Sequence, residues 1–223
     1  VVLRQGEVLK TVQTAESSIE ELTRLMVGEE GFPEVRKKET ELGKEILLVD
    51  QLRVKNNMDL EAVKGVSFSI RQGEILGLAG VSGNGQNELA QVLNGTRDAL
   101  SGTVTFDEVP VQLYHRAALV DTGWGRIPED RMTEGVVLEM SLTENCLLEV
   151  HNRPAFRNSI FIDFKAAKQH TQTLIEQYNI RPTIADNPVH NLSGGNIQKL
   201  ILAREFSLNP RLIIASQPTR GLD

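Results

Sequence analysis

Residues 74–93 read as an apolar strand, a glycine-rich turn and a helix, in that order. Glu74-Ile75-Leu76-Gly77-Leu78-Ala79 is the apolar run, Gly80-Val81-Ser82-Gly83-Asn84-Gly85-Gln86-Asn87 the turn, and Leu89, Val92 and Leu93 recur at helical spacing. Strand, glycine turn and helix together make a phosphate-binding loop, because backbone amides at the helix start point into one concave space. The full motif ends in Lys followed by Ser or Thr, which supply a point charge to the phosphates and a hydroxyl to magnesium. Here those places hold Gln86 and Asn87. The loop can cradle an anion, but it has lost its charge and its hydroxyl ligand. A dinucleotide-binding turn needs G-x-G-x-x-G; counted from Gly83 and Gly85, the third glycine falls on Glu88, so that alternative does not fit.

Composition removes several function classes. At 223 residues the chain can bury a sizeable core in one or two domains. A formal net charge of -6 argues against a general nucleic-acid binder, which would present a basic face. With aromatics at 4%, base stacking is not expected to dominate binding. Cys146 is the single cysteine, so no intramolecular disulfide can form. It sits beside Leu147 and Leu148 and reads as a packed core thiol. No apolar stretch has the length that spans a bilayer, and no signal-peptide run opens the chain.

The organisation along the chain is uneven. Val1–Arg4 and Glu7–Val12 flank Gln5-Gly6 as a small hairpin, and Ser17 with Glu20 reads as a capping box opening a short helix that Gly28 can end. Residues 29–45 are charged and carry Gly31, Pro33 and Gly43, as an exposed linker would. A second unit starts near Ile46, with strands expected at 46–49, 66–70 and 101–106, mostly helical structure over 131–191, a helix over 196–208 and a buried strand at 212–215. Ser141 and Glu144 make a further capping box. Strands alternating with helices favour a parallel sheet in an α/β fold.

Two further motifs narrow the family. In Leu192-Ser193-Gly194-Gly195-Asn196-Ile197-Gln198-Lys199, Ser193 is a good N-cap, yet paired glycines in a first helical turn cost stability. A closely approaching ligand is the better explanation, and an open helix N-terminus suits phosphate. Together with the loop, this resembles the signature of ATP-binding-cassette (ABC) ATPases. Leu212-Ile213-Ile214-Ala215-Ser216-Gln217-Pro218-Thr219-Arg220-Gly221-Leu222-Asp223 then resembles that family's Walker B strand running into the D-loop of Gly221, Leu222 and Asp223. The family carries Asp-Glu where this chain has Ser216-Gln217. A neutral amide cannot accept a proton, and losing a general base typically costs ~10²–10⁴-fold in rate.

What the resemblance implies can be placed one residue at a time. The fold would be a P-loop NTPase-like cassette with a RecA-like core, an antiparallel β subdomain and a helical subdomain over about 131–191. Nucleotide-binding positions would be Gly80, Gly83, Asn84, Gly85, Gln86, Asn87 and Glu129, the last within Ile127-Pro128-Glu129-Asp130-Arg131 where the family places a glutamine. Ser193, Gly194, Gly195 and Gln198 would act in trans on another cassette's ATP. No catalytic set would be competent, since Gln217 and Ser216 occupy the general-base and Walker B Asp positions. The stacking aromatic expected near Lys55–Asp59 is missing, and His115, His151, His170 and His190 all precede the signature, so none can be the switch histidine. ATP and magnesium would bind weakly or not at all at this loop.

The resemblance extends to architecture. Residues 1–28 look like the tail of a preceding cassette, 29–45 a linker, and 46–223 a second cassette that stops at the D-loop. This is similar to tandem-cassette importers of nucleosides and simple sugars, and the loop, Pro128–Arg131 and Gln217–Asp223 look most like the nucleoside branch. Implied partners are the first cassette, integral-membrane permeases and, indirectly, an extracytoplasmic substrate-binding lipoprotein, with no nucleic acid. Implied placement is the cytoplasmic face of the membrane. A soluble twin-cassette protein is the rival of another class.

Overall fold

The computed structural model describes residues 1–4, 7–27, 41–81, 83–113 and 116–219. Two units are present, Val1–Glu41 and Leu42–Asp223. In the first, β1 (Val2–Arg4) and β2 (Glu7–Lys10) pair antiparallel, and α1 (Ile19–Val27) follows. The hairpin forms as expected. The helix cap shifts by one residue: Ser18 Oγ accepts the Glu21 N–H at 3.1 Å, while Ser17 Oγ donates to the Gln13 carbonyl. The Glu20 side chain, Gly28 and residues 29–40 lie outside the described residues.

The second unit begins with a four-stranded antiparallel sheet in the order β4-β3-β5-β6. Its strands are β3 (Glu45–Lys55), β4 (Glu61–Arg71), β5 (Ser101–Phe106) and β6 (Val109–Pro110). β3 is longer than the apolar run 46–49 suggested, because after a register shift at Asp50 and Gln51 the fully buried Leu52 and Val54 resume the inward alternation. One face of this sheet packs on α2 (Gln86–Leu93) through Leu89, Val92 and Leu93. The same core takes in Trp124 of β7 (Trp124–Ile127) and Leu212 of β10 (Leu212–Ala215). β7 and β10 are parallel neighbours, as the strand–helix alternation led one to expect.

Between them lie α3 (Arg116–Asp121), a wide turn at Arg131–Gly135, α4 (Leu142–Leu147), a small hairpin of β8 (Arg157–Asn158) and β9 (Phe161–Ile162), α5 (Phe164–Gln177) and α6 (Gly194–Ser207). α4 opens with the expected capping box: Ser141 Oγ accepts the Glu144 N–H and Glu144 accepts the Ser141 N–H. The Ser141 hydroxyl also donates to Glu144 Oε2 at 2.7 Å, and that bond first, with the Ser141 N–H second, holds the Glu144 carboxyl below its usual value. Leu142, Ile175, Ile197, Leu200 and Ile201 form the core of this helical layer. Cys146 lies in it, and burial pushes its thiol up to about 11.

One expected element does not form. Glu74–Ala79 is not a paired strand: Ile75 is 95% and Leu78 56% exposed. A strand is a property of a ladder, and among the described residues this segment has no backbone neighbour to bond with. Its apolar residues Leu76, Leu78 and Ala79 instead line a cavity whose lining also includes Ile213 and Ile214 of β10.

α6 is tied to β7 by a buried ion cluster that no local pattern announces. Glu205 is fully buried; its Oε1 accepts from Arg204 Nε and Nη2 at 3.1 and 3.0 Å, and its Oε2 from the Arg126 backbone N–H at 2.9 Å. Arg116 approaches the same carboxylate at 3.5 Å and binds Glu149 at 2.8 Å. Arg204 also donates to the Gly135 carbonyl. Burial pushes the Glu205 carboxyl up from its ordinary value, and the arginines oppose that shift.

Two predictions follow from these packings. Glu205→Ala strands Arg204 and the Arg126 amide in the interior, so it should cost about 3–5 kcal/mol in chemical denaturation; a loss within ordinary surface values would contradict the hub. Gly85, which caps α2, has φ +94, and a Cβ there would lie 2.5 Å from the Ala62 carbonyl oxygen. Gly85→Ala should therefore cost at least ~1–3 kcal/mol, seen as a lowered thermal midpoint; an unchanged midpoint would show the turn is not constrained.

Candidate functional site

The ends of β7 and β10 and the start of α2 converge on two adjoining cavities of about 460 and 420 Å³. The first is lined by Gly80, Gly83, Gln86, Asn87, Glu129, Ser216 and Gln217 among others, and the second shares Asn87, Glu129 and Ser216 and adds Asp130 and Arg131. The structure thus brings together most of the loop, the Glu129 segment and the residues after β10. Ser82 and the D-loop residues Gly221, Leu222 and Asp223 lie outside the described residues.

The loop has the backbone of an anion cradle. Gly83 and Gly85 have φ +88 and +94, conformations that glycine adopts without steric cost. Asn84 N–H bonds the Val81 carbonyl, and Leu89 N–H bonds the Gly85 carbonyl to start the helix. Gln86 does not extend outward: its Nε2 donates to the Val81 carbonyl at 3.2 Å and lies over Gly80, where a Cβ would come within 2.0 Å of it. The Gln86 amide thus occupies the space beside Gly80 in this conformation. Asn87 is exposed.

Across the cavity, β10 continues the ladder to Ser216, whose N–H donates to the Ile127 carbonyl at 2.9 Å. Gln217 follows in the left-handed region, with φ +46. Its Nε2 donates to Glu129 Oε1 at 2.8 Å. Glu129, half-buried, is therefore linked to Gln217, a pairing that sequence spacing could not reveal. Among the described residues no group of three or more His, Cys, Asp or Glu is arranged to hold a metal. Magnesium takes oxygen ligands at strict octahedral geometry and leans on carboxylates plus phosphates. Asn87, Ser216 and Gln217 themselves offer only neutral oxygens, and Glu129 is the carboxylate that lines the cavity with them.

The signature segment has its own geometry. Ser193 caps α6, its Oγ accepting from Asn196 N–H and from Asn196 Nδ2 at 2.9 Å. Asn196 Oδ1 in turn accepts the Arg181 N–H. Gly194 has a close neighbour the sequence did not suggest: a Cβ on it would lie 2.3 Å from Arg131 Nη2. That contact places a guanidinium beside the N-terminus of α6. Gln198 is buried, and its Nε2 donates to the Pro218 carbonyl at 3.2 Å, tying α6 to the segment after β10. The contacts of Glu205 with the Arg126 amide, of Arg204 with the Gly135 carbonyl and of Arg131 with Gly194 escaped the sequence reading because each joins residues distant in the chain.

Comparison with known proteins shows the family. Residues 63–220 match the protein family described as ABC transporter. The chain is 37% identical over 222 residues to the guanosine import ATP-binding protein NupO of Bacillus subtilis, covering 100% of this chain and 44% of that protein. It is 36% identical over 224 residues to the glucose import ATP-binding protein TsgD13 of Haloferax volcanii, covering 100% of this chain and 41% of that protein. The chain thus spans less than half the length of these curated relatives. Among solved structures, the fold resembles the dimeric post-hydrolysis state of the ATP-binding cassette MJ0796 bound to ADP and Pi, with a TM-score of 0.65 at 20% identity, covering 80% of this chain and 76% of that one. Cassette fold, phosphate loop and capped signature helix together place the chain in the ABC transporter family.

Proposed function

We propose that this chain is part of the ATP-binding subunit of an ABC importer, and that its phosphate loop is the non-hydrolysing half of an asymmetric pair. The observation that carries this is the contrast between its two ends. Around the loop, the side chains that would stabilise a transferring phosphoryl group are neutral: Gln86 is folded onto Val81, and Ser216 and Gln217 follow β10. Phosphoryl transfer depends on positioning and on charge stabilisation, and this set supplies little of the second. The signature end is intact, with Ser193 capping a 14-residue helix and Arg131 beside Gly194. A helix N-terminus and a guanidinium together concentrate positive potential where an incoming phosphate would sit.

In this function the loop amides and Asn87 hold nucleotide weakly. Ser193, Gly194 and Gly195 complete an active site whose charged residues come from the first cassette of the same polypeptide. Residues 1–28 are the tail of that first cassette and residues 29–45 the linker. Partners are integral-membrane permeases, with a substrate-binding lipoprotein acting indirectly, and the protein sits on the cytoplasmic face of the membrane. None of the described helices is long and apolar enough to cross a membrane. The cargo class is a nucleoside, supported by the relative named for guanosine import; a simple sugar is the second reading, supported by the relative named for glucose import.

The test uses the full-length protein with its permease. Ser193→Arg should lower ATP turnover at least ~10²-fold, the scale of losing a phosphate-stabilising contact. Ser216→Ala should leave turnover close to the parent's. Equal losses from the two changes would contradict the asymmetric arrangement.

A further inference from the structure

We infer that Glu129 is a positioning residue for Gln217, and that the two act as a carboxylate–amide pair whose members cannot be exchanged singly. This rests on the nucleotide-site reading above and adds to it a role that neither residue type suggests alone. Gln217 leaves the end of β10 with φ +46, a backbone conformation that a non-glycine residue keeps only when its surroundings hold it there. Its amide Nε2 donates to Glu129 Oε1 at 2.8 Å. An ionised carboxylate only accepts hydrogen bonds, so it fixes which end of the carboxamide faces it. Gln217 must turn its N–H₂ to Glu129 and its carbonyl oxygen elsewhere. Both residues line the cavity beside Gly80, Gly83 and Asn87. The pair therefore bridges the ends of two parallel strands at the place where a polyphosphate would lie, and it leaves Gln217 able to accept from a water without removing its proton.

The electrostatic consequence is specific. The charged groups lining the adjoining cavities are Glu129, Asp130, Arg131 and Glu134; α2 and β10 face the pair with the neutral Asn87, Gln91, Asn94 and Ser216. Restoring a carboxylate at 217 alone would set two acids at hydrogen-bond distance. One of them would then hold its proton to higher pH in the folded state than in the unfolded chain. Because that folded-state pKa is raised, the variant's stability relative to the parent is kept near pH 4 and lost as pH rises past the ordinary glutamate value of about 4.3.

The experiment compares the full chain with Glu129→Gln, Gln217→Glu and the double exchange, following thermal midpoints from pH 4.5 to 8 and ATP binding by calorimetry. Gln217→Glu should melt progressively lower as pH rises and, at the upper end of that range where both carboxylates are ionised, bind ATP about tenfold more weakly through the added charge facing the polyphosphate. The double exchange restores one carboxylate and one amide, so both the midpoint and the pH profile should return toward the parent's. A pH profile for Gln217→Glu parallel to the parent's, or losses that simply add in the double exchange, would overturn the pairing. If the parent binds no ATP while the pH-dependent rescue holds, the pair stands and the nucleotide-site reading fails.

Discussion

The carboxylate of Glu205 is the contact on which the site's layout depends. It is fully buried and satisfied by Arg204 on its own helix and by the Arg126 amide of β7. α6 carries two loads: its apolar residues Ile197, Leu200 and Ile201 fill the helical layer, and its Arg204–Glu205 end is fixed to β7. Since Glu129 lies two residues after β7 and Ser193 caps α6, one ion cluster sets the relation between the loop side and the signature side. Such a cluster contributes little net stability compared with an apolar core of the same shape, but removing one member is costly. Its value lies in fixing one register of helix against strand.

The two ends held in that register differ in chemistry. At the loop the protein offers backbone amides, neutral amide side chains and one half-buried carboxylate held to Gln217. At the signature it offers a capped helix N-terminus with a guanidinium against Gly194. The first arrangement suits holding an anion without transforming it; the second suits stabilising charge on an anion brought by a partner. The segment Pro128–Arg131 belongs to both, since Glu129 faces Gln217 while Arg131 reaches Gly194.

Much of the fold was legible in the chain because local chemistry decided it. The Ser141–Glu144 box and the buried face of Leu89, Val92 and Leu93 depend on residues within a few positions of one another. The strand expected at Glu74–Ala79 failed for the opposite reason: pairing is set by a neighbour, and an apolar run does not carry its partner with it. The loop and the signature were legible as motifs. Gln217 against Glu129, 88 positions apart, and Arg131 against Gly194 were not, because only the fold brings them together. Ser18 in place of Ser17 at the first helix shows how adjacent hydroxyls compete for one cap.

The central claim is that this cassette contributes to hydrolysis without performing it. The most direct measurement traps nucleotide with vanadate during turnover of the full-length protein, using a photoreactive ATP, and maps the label. The account predicts trapped nucleotide attached to the other cassette's phosphate loop, with residues 74–94 of this chain unlabelled. Hydrolysed, trapped nucleotide on residues 80–87 would contradict it.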